Sequence, residues 1–277
     1  ANTLALPADK IFSLPANELS LAVAWLGIIC YTLQIYFDFS GYSDMAIGMG
    51  KMFGFTFMEN FQFPYVAQSV RDFWRRWHIS LSSWFRDYVY IPLGGSRISP
   101  ARTHLNLIAV FLLCGLWHGA SLTFVAWGLY HGIFLALERT RFGQMQEHFP
   151  RPLRHVGTMF AVMMGWVIFR ANSFSLAGTY FQALFGLNDA PFALALPFYA
   201  TGQVVWAIVF GILFSGPLWN AIQITSAKAG QTIPAAFRPV MQTLGSAVET
   251  LATIALLLVS SAWLAGGTYN PFIYFRF

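Results

Sequence analysis

Apolar and charged residues occupy separate blocks along this chain. Leu19–Phe37 is a run of 19 uncharged residues, long enough for one membrane span. Asp38-Phe-Ser-Gly-Tyr-Ser-Asp44 is turn-prone and is expected to end it. Met45–Phe57 is apolar but short and holds Lys51, Gly48, Gly50 and Gly54, so it reads as a broken or interfacial segment. Leu105–Leu137 runs for 33 residues without a Lys, Arg, Asp or Glu. As one helix it would extend about 50 Å, against a hydrocarbon core of about 30 Å. Basic segments flank it on both sides. A hairpin of two short spans turning near Gly119-Ala-Ser121 satisfies both facts. Val156–Phe169, Leu194–Phe214 and Leu244–Leu264 supply three further crossings. The pattern predicts an all-α, polytopic integral membrane protein of about six spans with added interfacial or re-entrant helices.

Val70–Ile91 follows a different pattern. Val70, Phe73, Trp74, Trp77, Leu81, Trp84, Phe85 and Tyr88 recur at helical spacing for about five turns. Arg71, Asp72, Arg75, Arg76, Ser82, Arg86 and Asp87 take the opposite face, and Pro92 with Gly94-Gly95 stops the run. The spacing predicts one long amphipathic helix that lies in the membrane interface or packs under a bundle. His78 falls at the border of its apolar face.

Composition agrees with a membrane protein. Apolar residues make up 57% and charged residues 10%, where a soluble domain carries about 25% charged residues. Two cysteines, Cys30 and Cys114, exclude a disulfide scaffold and a Cys-based zinc site. The first 18 residues carry Asp9, Lys10 and Glu18 without an apolar core. They are not a signal peptide and read as a loop between spans, as if the chain were the C-terminal portion of something longer.

The net charge of +5 is unevenly placed. Ten of the 13 Arg fall in Arg71–Arg102 and Arg139–Arg154. The positive-inside rule puts these segments and Lys228–Arg238 in the cytoplasm, and turns the Asn172–Pro191 loop outward. An even number of spans puts the tail Tyr269–Phe277 on the same side as the start. Topology and anionic lipid account for such clusters in a membrane protein, and no nucleic-acid partner is expected.

Ionisable groups inside the bilayer are costly and point to function by default. His118 sits in Gly115-Leu-Trp-His-Gly119, 16 residues past Arg102. His131 sits in a near repeat, Gly128-Leu-Tyr-His-Gly132. For His118 a catalytic role and a helix–helix hydrogen bond stand level on composition alone. For His131 the packing role is favoured. For His78 the favoured reading from the residues alone is a boundary residue bonded to a neighbouring carbonyl. Cys114, one turn before His118, would suit an acyl-enzyme, but a lone membrane cysteine is usually an apolar filler. Asp38 and Asp44 match no metal-binding loop and are expected to partner the Arg-rich helix; no metal site is expected. The Gly48/Gly50/Gly54 cluster is not a phosphate loop, because no Lys-Ser/Thr follows.

Four segments together carry a family resemblance. They are Tyr36-Phe-Asp-Phe-Ser-Gly-Tyr-Ser-Asp-Met-Ala-Ile-Gly48, Phe73-Trp-Arg-Arg-Trp-His-Ile-Ser-Leu-Ser-Ser-Trp-Phe-Arg-Asp87, Ile91-Pro-Leu-Gly-Gly95 and Gly115-Leu-Trp-His-Gly119. In this order they resemble the membrane-bound O-acyltransferase (MBOAT) family, most nearly its bacterial alginate O-acetyltransferase branch, and Asn270-Pro-Phe-Ile-Tyr-Phe-Arg-Phe277 resembles the same branch. The likeness covers most of residues 1–277 as a single transmembrane domain that lacks the N-terminal spans of longer members. It implies acyl transfer to a hydroxyl within the membrane, with the family's invariant histidine at His118 and its second polar position at His78. It further implies an acetyl group, a periplasmic or exported polysaccharide acceptor, periplasmic acetylation-complex proteins as partners, and the bacterial inner membrane.

Transfer from a thioester to an alcohol needs a base for the hydroxyl and donors for the oxyanion. An imidazole in a low-dielectric site is held neutral and serves as a base. His118 suits that role, with His78 donating to the oxyanion or holding the donor. Trp77, Trp117 and Tyr130 would shape an apolar tunnel. Arg71, Arg75, Arg76 and Arg86 would attract a phosphate-bearing donor, acetyl-CoA or an acyl-carrier thioester, with no cofactor held permanently. The rival readings are a transporter or channel without chemistry, a non-catalytic scaffold for a periplasmic transferase, and a peptidoglycan or teichoic-acid branch of the same family.

Overall fold

The structure is a computed structural model, and it describes residues 1–218, 220–222, 224–225 and 238–266. Helices account for nearly all regular structure among these residues. They fall into two compact units, residues 1–216 and residues from 217 onward. The second unit contains one long apolar helix, Arg238–Gly266, numbered α11 below. The tail Tyr269–Phe277 and most of the Lys228–Arg238 segment lie outside the described residues.

The first unit is built around α2 (Leu21–Met52), α5 (Pro100–His118), α6 (Leu122–Leu137) and α8 (Arg151–Arg170). Four helices, α2, α5, α8 and α11, are long and apolar enough to cross a membrane; α6 and α10 (Gly202–Phe214) are shorter apolar helices. The chain is therefore an all-helical, multi-pass membrane protein.

The uncharged 33-residue stretch forms the expected hairpin. α5 ends at His118, α6 begins at Leu122, and Ser121 caps α6. The near-repeated glycines form its seam. A Cβ on Gly115 would collide with the Phe124 carbonyl, and one on Gly128 with the Phe111 carbonyl. Small residues at these points let two membrane helices approach backbone to backbone.

Four elements differ from the sequence reading. The opening residues form a helix, α1 (Asn2–Phe12), rather than a loop. Leu4, Ala8, Ile11 and Phe12 make one apolar face that packs on α2, and Asp9 is paired with Arg170 at 2.6 Å. α2 does not stop at the turn-prone Asp38–Asp44 cluster but continues for 32 residues. Phe39, Ser40, Ser43 and Ile47 are buried, and tertiary packing outweighs the weak local preference of Ser, Gly and Asp for turns. The Asn172–Pro191 stretch contains α9 (Phe174–Leu184), capped by Ser173 and held where the Tyr180 hydroxyl donates to the Ala24 carbonyl at 2.8 Å.

The amphipathic stretch from Val70 is broken in two. α3 (Val70–Arg76) and α4 (Ile79–Phe85) are separated by Trp77 and His78, and a π-helical turn follows at Arg86–Tyr90. Both Glu138 carboxylate oxygens accept from the first amides of α3, Val70 N–H at 2.6 Å and Arg71 N–H at 2.9 Å. The segment does not lie flat across an interface. It starts beside Glu138 at the open end of the hairpin and brings His78 to Trp117 near the hairpin tip. It then returns, so that the Leu93 and Gly95 carbonyls accept from Asn106 Nδ2, near the start of α5.

Candidate active site

His118, half-buried, is the last residue of α5, and aromatic rings surround it. The Trp127 ring of α6 stands edge-on at 5.1 Å, Phe169 of α8 at 5.1 Å and Trp117 at 4.9 Å. Phe124 closes the wall at 6.3 Å. His78 also approaches Trp117, with ring centroids 6.1 Å apart, and meets Phe39 of α2 in a T-shaped contact at 4.6 Å. The two histidines, 40 residues apart in sequence, thus both border one tryptophan. Trp117 itself is 54% exposed.

His78 holds this place because the helix breaks there. Its φ of 44° and ψ of 57° are left-handed, a conformation that costs a non-glycine residue about 1–3 kcal/mol and recurs at functional sites. The loop Asn60–Gln62 clamps the break from both sides. Gln62 N–H donates to the Arg76 carbonyl, and Ile79 N–H donates to the Asn60 carbonyl, each at 3.0 Å. Asn60 Oδ1 also accepts from Ser80 N–H at 3.0 Å and from the Ser80 hydroxyl at 2.6 Å. Nothing in the local sequence announces Asn60 as a partner of His78. Its part is visible only once the chain folds back.

The other expected site residues are dispersed. Trp77 is 4% exposed and stacks among Tyr65, Phe73 and Trp166 in the aromatic core. The Tyr130 hydroxyl donates to the Ala161 carbonyl at 2.8 Å and pins α6 to α8. The four arginines do not form one cluster. Arg71 is tied to the Glu138 carbonyl, Arg75 is exposed, Arg76 pairs with Asp72 at 2.8 Å, and Arg86 pairs with its neighbour Asp87 at 2.7 Å. The acids paired with Arg76 and Arg86 belong to the same segment, and Asp44 pairs with no arginine among the described residues. Arg71 instead joins Arg154, Glu138 and Glu147 around a polar pocket of about 330 Å³ at the open end of the hairpin. Cys114 is buried in the helix core.

Chemically, the arrangement offers two imidazoles beside one exposed aromatic face, with an apolar wall behind. One imidazole can take a proton from a hydroxyl while the other donates to an oxygen that gains charge.

The model of the membrane-bound O-acyltransferase family matches residues 9–180. The probable alginate O-acetylase AlgI of Azotobacter vinelandii is 42% identical over 299 residues, covering 100% of this chain and 59% of that protein. The Pseudomonas putida protein of the same name is 43% identical, covering 100% of this chain and 58% of that protein. The peptidoglycan O-acetyltransferase of Helicobacter pylori is 45% identical over 62% of this chain and 33% of that protein. The chain therefore spans somewhat less than two thirds of the length of these relatives. With the family model matching more than half of the sequence and relatives of more than 40% identity along its whole length, the chain belongs to the membrane-bound O-acyltransferase family.

Proposed function

We propose that this chain carries the transfer centre of a bacterial inner-membrane O-acetyltransferase that acts on hydroxyls of an exported or periplasmic polysaccharide. The observation that carries the reading is the meeting of His78 and His118 at Trp117. The named relatives modify alginate or peptidoglycan by O-acetylation, and an alginate-like polymer is the acceptor class that fits them. His118 acts as the base. It removes the proton of the acceptor hydroxyl as the oxygen attacks the carbonyl of an acetyl thioester. His78 donates to the oxyanion of the tetrahedral intermediate, and the thiolate leaves with the proton that His118 returns.

The donor is a cytoplasmic thioester, acetyl-CoA or an acyl-carrier arm, and periplasmic acetylation proteins take part with the acceptor. In this reading the donor's phosphates meet the chain at the Arg71 end, and the place of Arg154 beside Arg71 at one pocket supports it. Cys114 takes no part, being a buried filler one turn behind His118.

Transfer of radiolabelled acetyl from thioester to purified full-length protein plus acceptor polymer tests the reading. Acceptor labelling that depends on His118 supports it. Movement of label across vesicles without ester formation would make the protein a transporter. Labelling only after a periplasmic partner is added, and untouched by loss of His118, would make it a scaffold.

A further inference from the structure

The histidine that the reaction does not use is His131. It is 1% exposed, and neither ring nitrogen has a hydrogen-bond partner. The hydrogen bond across the hairpin expected for it from the sequence is absent. Leaving a buried polar group unpaired costs about 1–3 kcal/mol, so a residue kept only for bulk would be better apolar. Its surroundings explain what the ring does.

Trp127, the wall behind His118, is itself 1% exposed. One neighbour of its indole is His118, edge-on at 5.1 Å and 89°; another is His131, at 5.2 Å and 75°. Trp74 closes a triangle, 5.7 Å from Trp127 and 5.2 Å from His131, with interplanar angles of 66° and 85°. Trp74 lies on α3, one turn before His78. On the remaining side stands α8. A Cβ at Gly165 would lie 2.7 Å from His131 Nε2, so the flat five-membered ring fits there and a bulkier one does not. His131 therefore touches α3, α6 and α8 together. These helices present the flank of His78, the wall of His118, and Phe169, which meets His118 from its third side.

We propose that His131 is a positioning residue for the acyl-transfer site: it wedges Trp127 against His118 and Trp74 beneath the His78 break. The inference rests on the reading of His118 as the base. The ring acts through its thin, planar shape, because aromatic rings at these distances hold edge-to-face geometry and a core at this density transmits small displacements.

The test uses the full-length protein in detergent with two substitutions made from opposite helices, His131→Ala and Gly165→Ala. Alanine at 165 forces the imidazole out of its slot without altering any residue at the site. Two readouts are taken: the rate at which diethyl pyrocarbonate modifies His118, followed by peptide mass spectrometry, and kcat and KM for acetyl transfer. Misplacing a catalytic group by about 1 Å costs up to about a hundredfold, so each variant is expected to lose about ten- to a hundredfold in kcat with little change in KM. His118 modification changes in both. The double variant recovers part of the loss, because the new methyl at 165 occupies space the imidazole left.

Wild-type kcat and wild-type His118 reactivity in both single variants would overturn the proposal. So would a loss of activity that only follows folded yield while His118 reactivity stays fixed. If the unaltered protein transfers no acetyl, the reading of the reaction fails, and the His118 modification rates still decide whether His131 positions it.

Discussion

At the scale of single residues, the site depends on side chains that make no chemistry of their own. His78 stays in a left-handed conformation only because Asn60 takes three hydrogen bonds from the two residues after it. Asn60→Ala removes three side-chain bonds, two from Ser80 and one to Ser43, and leaves the half-buried Ser80 donors unpaired, at about 1 kcal/mol. The expected outcome is a folded protein with acetyl transfer at least about tenfold slower, since the break can relax toward the continuous helix that the sequence favours. Steady-state kinetics on the purified variant checks this, and an unchanged kcat would detach the clamp from function. His118 was legible from sequence as an imidazole among glycines inside an uncharged run. Asn60, Phe39, Trp127 and Phe169 were not, because each reaches the site from a segment whose own pattern reads as ordinary helix or loop.

At the scale of elements, the apolar periodicity of Val70–Ile91 passes unbroken through the point where the helix ends. The interruption is imposed from outside, by the Asn60–Gln62 loop behind it and by Glu138 at its start. The hairpin was readable because its length, its lack of charge and its turn residues agree. The continuation of α2 past Asp44 was hidden, because turn-prone residues were buried against partners far along the chain. Glu138 gives this level a measurable consequence. Burial pushes its carboxyl above the ordinary glutamate range, and the amides of Val70 and Arg71 offset this only in part. The native state therefore holds the Glu138 proton more readily than the unfolded chain. That contribution to stability is full below the ordinary pKa of about 4.3 and is lost as pH rises through the raised value. Thermal unfolding of the wild type and of Glu138→Gln across this window should show the difference in stability between them moving against the wild type as pH rises. A difference that moves the other way would mean that the amide bonds outweigh burial.

At the scale of the whole molecule, the hairpin sets two ends. The two ends of the first basic stretch, at Arg71 and Arg102, and the second stretch from Arg139 lie at its open end, where Arg71 and Arg154 border one pocket, while the middle of the first stretch carries His78 toward the tip, where it meets Trp117 beside His118. Arg71, Arg97, Arg102, Arg139, Arg141, Arg151 and Arg154 lie beside the helix termini of the open end, so that end is expected in the cytoplasm and the tip toward the acceptor side. Cys30 and Cys114 are both buried, so they are replaced by alanine and single cysteines introduced at the exposed positions Ser96 and Gln144. Neither should react with an impermeant maleimide added outside intact spheroplasts, and ready labelling of both would reverse the orientation. The central claim, that His118 is the base of an acyl transfer, is tested most directly by the initial rate of acetyl transfer from thioester to polysaccharide by His118→Gln in the full-length protein. Glutamine keeps hydrogen bonding but cannot accept the proton, so the account predicts a loss of about a hundred- to ten-thousandfold with expression and donor binding intact. A rate close to the wild type would contradict it and shift the base to His78.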